Sequence, residues 1–456
     1  MPADFGVVAM AMSVIALIEL ATAFSFEIAL IQNPKPEKVH YDTAWTLNIL
    51  LAMGGAAATV AFANPAASFY NEPRLVSVMV AIGAAWLISG FENVGTVNFR
   101  REMNFAREFR FLALKRVVSF VVGIAAAFAL RSYWALVIGT VTGRVAGVAL
   151  SYLMEPFRPR LSLAARRQLF GFSGGMLASN FAWVAIGRIP QLFTGRMLGA
   201  QTLGTYTVGA EIAQLAHTEL IAPINRAMIP GYSRLSGNVD SFRRVSIDSA
   251  AGILLLVLPA TVGIAVVAGP IVRVLLGEQW HDAVPVIQVL AFSGAVNAIL
   301  SNQGAAYVAL GRPYLLTAIH LSRLIVLVPM LFLLSSRWGL LGIVYAELVG
   351  AAASLFVSYP VLFRQLRIPV KEYVAALWRP LVASAFMGAV VHAALGWHEF
   401  DAGLAAAIQG LVIGVPVGVL TYAVTLWVLW HMSGRPEAVE AIMAKHIGAT
   451  CRSFIR

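Results

Sequence analysis

Long apolar runs, separated by short polar or basic connections, make up most of the chain. A membrane-spanning helix needs about 20 apolar residues, and the 456 residues contain thirteen runs of about that length. They lie at 5–25, 43–63, 75–95, 111–130, 133–154, 170–194, 203–228, 247–268, 283–308, 313–334, 340–363, 374–396 and 402–430. The run at 203–228 is the weakest, since Glu211, His217 and Glu219 interrupt it. Continuous rather than alternating apolar sequence favours helices over a lipid-facing barrel.

The composition leads to the same class. The chain is 59% hydrophobic and 12% charged, whereas a soluble domain carries about 25% charged residues, so a soluble enzyme is excluded. The only cysteine, Cys451, excludes a disulfide scaffold and a CxxC metal site. No spacing of His, Asp and Glu is typical of a metal site. The sequence therefore predicts an all-α polytopic membrane protein that is not an enzyme and uses no cofactor.

The basic residues predict the orientation in the membrane. If the first run crosses from outside to inside, 25 of the 33 Lys and Arg residues fall in inner loops or the tail. The outer loops then hold five, which are Arg74, Arg131, Arg196, Arg273 and Arg337. Because basic residues concentrate on the cytoplasmic side, this split predicts a cytoplasmic C-terminus. The net charge of +11 is thus a topology signal, and no nucleic acid partner is expected.

An internal repeat with a period near 200 residues is visible. The turn before the first run and the turn before the seventh place Gly6 and Gly204 at an offset of 198, and the breaks at Pro65 and Pro270 are offset by 205. Duplicated halves are common in transporters. In the second half, one helix precedes the repeated turn, and in the first half none does. We therefore expect that an N-terminal helix is absent from this chain and that about thirteen remain.

The repeat divides the chain into four predicted parts. Residues 1–155 form an N-terminal lobe without its first helix, and residues 165–365 form a C-terminal lobe. Residues 372–432 add two transmembrane helices, and residues 433–456 form a cytoplasmic tail.

Several short motifs recur in an order and spacing that are specific together, although each alone is weak. They are PADFG at 2–6, FRREMNF at 99–105, LGTY at 203–206, PGYSRL at 230–235, LGEQW at 276–280 and ALGRP at 309–313. With them the chain resembles the polysaccharide-flippase branch of the multidrug/oligosaccharidyl-lipid/polysaccharide exporter superfamily, and within it the exporters of rhizobial succinoglycan-type exopolysaccharide. The resemblance implies two six-helix lobes around a central cavity, with two extra helices. It also implies transport of a lipid-linked oligosaccharide or polysaccharide across the bacterial inner membrane.

Charged residues inside the runs are candidates for the site, because each costs about 2.5–3.5 kcal/mol to insert and usually faces a cavity or a partner. Arg188 and Arg323 are candidates for binding the phosphates or acidic sugars of a glycolipid, since a guanidinium makes bidentate contacts with phosphate. The alternative is an ion pair within the bundle, for instance with Glu211 or Glu347. Glu19 and Glu347 are also candidates for proton or sodium coupling. Arg144, among Gly139, Gly143 and Gly147, indicates close helix packing.

Three functions are consistent with these patterns. The first is a flippase or exporter for exopolysaccharide or lipopolysaccharide biosynthesis, working by alternating access between lobes, with lipid-linked glycan and membrane lipids as partners. The second is a multidrug exporter of the same superfamily, although Arg188 and Arg323 would repel organic cations. The third is a membrane glycan polymerase, although every predicted outer connection is short.

Overall fold

A computed structural model describes most of the chain. The described residues are 1–21, 36–173, 177–221, 239–310, 314–396 and 403–434, with Phe26, Leu30, Ile31, Ile224, Met228, Tyr232 and Arg312 as isolated positions. The predicted tail at 433–456 lies outside them from residue 435 onward.

The described parts of the chain are helical, with two short 3₁₀ turns at Val94–Thr96 and Glu278–Trp280 and no β-strand. In chain order, the first eight α-helices are α1 Pro2–Ala21, α2 Lys38–Tyr70, α3 Arg74–Ser89, α4 Val97–Arg101, α5 Phe105–Leu130, α6 Trp134–Met154, α7 Arg166–Ser173 and α8 Leu177–Ala213. The remaining six are α9 Val239–Val266, α10 Ala268–Leu275, α11 Ala283–Ala309, α12 Tyr314–Leu366, α13 Val370–Gly396 and α14 Leu404–Met432.

Two helices are broken by glycines with positive φ, and these breaks separate predicted runs. In the described ranges, nine helices are long and apolar enough to cross a membrane, or ten if α3 and the bent segment Val94–Arg101 count as one span. Helix α12 has 53 residues and breaks at Gly339, where φ is 55°, so it covers both runs at 313–334 and 340–363. Helix α8 breaks at Gly199, where φ is 82°. Left-handed backbone of this kind is accessible to glycine without steric cost.

Exposed apolar side chains show which surfaces face lipid. Phe120 and Phe128 on α5 are 68% and 81% exposed, and Val419 and Leu420 on α14 are 63% and 65% exposed. Surfaces of this kind are rare on soluble proteins, but they are favourable in hydrocarbon. The structure thus confirms the predicted membrane class.

Contacts between Cα atoms divide the chain into two compact units, Met1–Thr207 (unit 1) and Val208–Arg456 (unit 2). In unit 1, α5 packs against α6, and α3 packs against both α2 and α6. In unit 2, α9 packs against α11 and α13, and α13 packs against α14. Residues 165–207, which the repeat assigns to the second lobe, group with unit 1 by contacts. The lobe boundaries themselves stay a prediction.

A stripe of glycines on α6 lets α5 approach closely, as the sequence predicts. A Cβ atom at Gly139 would lie 3.3 Å from the Cα of Gly123, and one at Gly143 would lie 3.1 Å from the side chain of Ser119. The Ser119 hydroxyl donates a hydrogen bond of 2.7 Å to the Gly139 carbonyl. Small residues that allow such contact are a common interface between membrane helices.

The repeat-related segments around Gly6 and Gly204 lie in helices α1 and α8, rather than in the turns that the sequence predicts, and they contact each other reciprocally inside unit 1. A Cβ atom at Gly6 would overlap the carbonyl oxygen of Ala200, and a Cβ atom at Gly204 would overlap the carbonyl oxygen of Pro2. Residues 2 and 200 are 198 positions apart, as are 6 and 204, so the repeat offset relates each contact to the other. Backbone meets backbone at both points, which requires glycine at each.

Candidate functional site

Arg188 is held by an amide that also contacts α1. The Arg188 Nη1 atom donates to Gln191 Oε1 over 2.8 Å, and the Ser13 hydroxyl lies 3.0 Å from the same oxygen and 2.7 Å from the Ala9 carbonyl oxygen. Ser13 is fully buried, whereas Arg188 is partly exposed. The guanidinium is thus oriented by a neutral partner, and this hydrogen bond does not offset its charge.

Glu19 on α1 and Arg144 on α6 form a second polar pair in unit 1. The Arg144 Nη2 and Glu19 Oε1 atoms are 3.8 Å apart, and the side chains are 41% and 45% exposed. An exposed pair of this geometry contributes about 0–1 kcal/mol in water, so it adds little to the stability of the fold. The sequence singled out both residues, but it did not predict that they meet.

Arg323 lies in a buried polar network of unit 2. It is 4% exposed, and its Nη1 atom donates to Asn297 Oδ1 over 2.6 Å. One turn further along α11, Asn302 accepts a hydrogen bond of 2.9 Å from the Tyr232 hydroxyl, and Gln303 accepts one from Ser358. A guanidinium buried among apolar helices requires such hydrogen bonds.

Glu347 is also buried, at 8% exposed, in the second half of α12. The four predicted site residues therefore divide evenly: Arg188 and Glu19 lie in unit 1, and Arg323 and Glu347 lie in unit 2. The sequence patterns assigned no role to Gln191, Asn297 or Ser13. A buried hydroxyl has no sequence signal that separates it from other small helix residues.

The loop after α3 is fixed by the fully buried Asn93. Its Oδ1 atom accepts from the Gly95 backbone over 2.9 Å, and its Nδ2 atom donates to the Phe157 carbonyl over 2.7 Å. Nearby, Glu155 follows the last turn of α6 and is 7% exposed. Burial raises the pKa of its carboxyl group, and the Arg107 charge opposes that rise. The loop is thus a rigid connection at one end of unit 1.

Among the described residues, no group of three or more His, Cys, Asp or Glu side chains could hold a metal ion. Unit 1 places the guanidinium groups of Arg188 and Arg144 beside an amide, a hydroxyl and a carboxylate, and unit 2 places the guanidinium group of Arg323 beside an amide. Their chemistry suits anionic and hydroxyl-bearing ligands.

Comparison with known proteins identifies a family and several relatives. The profile of the family described as polysaccharide biosynthesis protein matches residues 1–285. The lipopolysaccharide biosynthesis protein WzxC of Escherichia coli (strain K12) is 21% identical over 390 residues, which are 84% of this chain and 78% of that protein. The succinoglycan biosynthesis transport protein ExoT of Rhizobium meliloti (strain 1021) is 22% identical over 430 residues, 93% of this chain and 86% of that protein.

A solved structure has the same fold at low sequence identity. The inward closed conformation of the lipid II flippase MurJ superposes with a TM-score of 0.75 and 11% identity, over 95% of this chain and 94% of that one. This likeness establishes the helical transporter fold along nearly the whole chain.

Proposed function

The chain belongs to the polysaccharide biosynthesis protein family, and from that premise we propose that it moves a lipid-linked oligosaccharide or polysaccharide across the bacterial inner membrane. The transport serves exopolysaccharide or lipopolysaccharide biosynthesis and works by alternating access between two lobes. The names of the two relatives, one in lipopolysaccharide biosynthesis and one in succinoglycan transport, support this substrate class. The fold that the chain shares with a lipid II flippase supports the mode of transport.

The main support for the proposal is the environment of the Arg188 guanidinium. It lies within an apolar helix, is partly exposed, and bonds to the neutral Gln191 rather than to a carboxylate. A charged donor of this kind is costly in a membrane protein unless it meets an anion. The phosphate of a glycolipid supplies that anion, and a planar guanidinium can bind it through two parallel hydrogen bonds.

Arg323 is proposed as a second contact for the anionic glycolipid. Its 4% exposure means that it reaches a ligand only when the hydrogen bond to Asn297 opens. Alternating access moves one lobe against the other around the binding site, and the proposal requires that the Arg323–Asn297 hydrogen bond opens during this movement.

The membrane potential helps outward movement of an anionic substrate. With the inside negative, each elementary charge gains about 2.3 kcal/mol per 100 mV. Glu19 and Glu347 are the proposed coupling groups for a proton or sodium ion. Glu19 is supported by its ion pair with Arg144, because a coupling cation bound at Glu19 would compete with that guanidinium.

The proposed location is the inner membrane with a cytoplasmic C-terminus, and cysteine labelling tests it. Cys451 is the only cysteine, so a Cys451→Ser variant gives a cysteine-free background. Single cysteines at Glu72 and Ser132 are expected to react with a membrane-impermeant maleimide in whole cells, whereas one at Glu102 is expected to react only after lysis. Reaction of Glu102→Cys in intact cells would overturn the orientation.

The transport function is tested with purified protein in proteoliposomes that contain a fluorescent polyprenyl diphosphate glycan. We expect the protein to move the glycan between leaflets at a rate well above that of empty vesicles. A zwitterionic lipid and an organic cation dye serve as competing substrates. Transport of the dye without the glycan would favour the multidrug alternative. A change in glycan length without movement would favour a polymerase.

A further inference from the structure

Unit 1 contains a small polar cavity that the proposed transport site does not use. It has a volume of about 230 Å³ and lies between α2, α3, α6 and the loop after α3, with Asn48, Trp86, Glu92 and Arg144 in its wall. Pockets for drug-sized ligands measure about 300–1,000 Å³, so this one suits a single sugar unit. By the distribution of basic residues, it opens at the cytoplasmic end of unit 1.

The floor of the cavity is preformed. It is the loop that Asn93 fixes, and a further hydrogen bond of 2.9 Å runs from the Asn93 backbone amide to the Ser151 hydroxyl on α6. Thr96 donates to the Asn93 carbonyl over 3.0 Å. The backbone of this loop is therefore already ordered before a ligand binds, and this removes part of the entropic cost of binding.

Trp86 packs against α2 at Gly55, where the helix has no side chain. A Cβ atom at Gly55 would lie 2.4–2.7 Å from the Cη2, Cζ2 and Cζ3 atoms of the indole. The outer edge of the six-membered ring thus packs against Gly55. Sugars stack on indole faces because their C–H groups are apolar, and the amide of Asn48 in the same wall can both donate to and accept from sugar hydroxyls.

The charged groups around the cavity form two ion pairs, and the longer pair leaves hydrogen-bond donors for an anion. Glu92 is paired with Lys115, at 3.0 Å between Oε2 and Nζ. Arg144 is 3.8 Å from Glu19, which is longer than a hydrogen bond. The Arg144 donors thus remain available, in the described part of the chain, to a ligand in the cavity.

We propose that this cavity binds one anionic sugar unit of the transported glycan, with Arg144 on the negative group, Trp86 against the ring and Asn48 on a hydroxyl. The proposal rests on the proposed function, since it gives the glycan a separate recognition point on the cytoplasmic side. The negative group is either a sugar carboxylate or the phosphate that links sugar to lipid, and both present oxygen acceptors to a guanidinium.

Binding of soluble sugars to the full chain in lipid nanodiscs tests the proposal. Glucuronic acid, glucose 1-phosphate and glucose are titrated, and binding is measured by saturation-transfer difference NMR. We expect at least one anion to bind about tenfold more tightly than glucose, since hydrogen bonds to charged groups have effects of this size. If glucuronic acid binds more tightly, the negative group of the transported glycan is a carboxylate. If glucose 1-phosphate binds more tightly, that group is a phosphate. Arg144→Gln should lower its affinity about tenfold, whereas the exposed control Arg337→Gln should not.

A second pair of variants keeps the test valid if Arg144→Gln does not fold. Asn48→Asp is isosteric and places a negative charge in the cavity, so it should abolish anion binding. Asn64→Asp is the same change at an exposed position on α2, about 24 Å along the helix, and should have no effect. Unchanged binding in both cavity variants, or no binding by the unaltered protein, would overturn the proposal. Arg144-dependent binding without glycan transport would instead overturn the proposed function.

Discussion

Replacing Arg188 by alanine is expected to reduce glycan transport by at least about tenfold while the protein still inserts in the membrane. The expected size follows from the loss of a hydrogen bond to a charged group, which contributes about 1.5–3 kcal/mol. The Arg188→Lys variant should transport the glycan at a rate between those of the unaltered protein and Arg188→Ala. Lysine keeps the positive charge but lacks the planar guanidinium with its paired donors. Transport in proteoliposomes is the measurement, with Arg337→Ala as an exposed arginine control.

A change at Gln191 separates ligand binding from a structural role. Gln191→Glu places a carboxylate 2.8 Å from the Arg188 guanidinium and neutralises it. If Arg188 only holds helices together, the new ion pair should preserve or strengthen the fold and leave transport intact. If Arg188 binds an anion, transport should fall as in Arg188→Ala. Asn297→Asp places a carboxylate beside Arg323 in the same way. Transport should fall if Arg323 binds an anion and stay normal if Arg323 has only a structural role. Normal transport in Gln191→Glu would remove Arg188 from the proposed site.

The membrane class, the helical runs and the family could be predicted from the sequence, because each depends on local composition or on motifs along the chain. A run of 20 apolar residues has few alternatives to a helix in a membrane. The glycines at 139, 143 and 147 predicted close packing of α6 for a similar reason, since their spacing of four places them on one face. The breaks at Gly199 and Gly339 were visible as gaps between runs.

The partners of the charged residues could not be predicted. Glu19 and Arg144 are 125 positions apart, and nothing local to either residue indicates the other. Arg323 was located correctly within an apolar run, but its burial against Asn297 depends on how α11 and α12 pack. Which face of an apolar helix meets lipid, a neighbour or a cavity is a tertiary property. The long helices here are apolar on all sides, so the periodicity of apolar residues does not reveal which side meets which neighbour.

The reciprocal contact between Gly6 and Gly204 has a further consequence for transport. Both glycines lie near the start of repeat-related helices, at the end of unit 1 that the basic residue pattern predicts to be on the outer side. Gly195 and Tyr70 pack at the same end, where a Cβ atom at Gly195 would lie 2.7 Å from the Tyr70 ring. The backbone contacts at Gly6 and Gly204 and the packing of the Tyr70 ring on Gly195 hold these helix ends close together. Separating the helices here is therefore expected to open a path from outside.

Gly204→Leu is expected to lower glycan transport at least about tenfold and to expose α1 from the outer side. A leucine side chain cannot fit where backbone already meets backbone, and overpacking costs about 1–3 kcal/mol or more. In the Cys451→Ser background, a cysteine at Met12 should react several-fold faster with an external maleimide when Gly204→Leu is present. Gly187 lies on the same helix, and a Cβ atom there would meet nothing within 4 Å. The control variant Gly187→Leu should therefore change neither the transport rate nor the labelling rate. Unchanged labelling and transport in Gly204→Leu would show that this contact does not close the outer end.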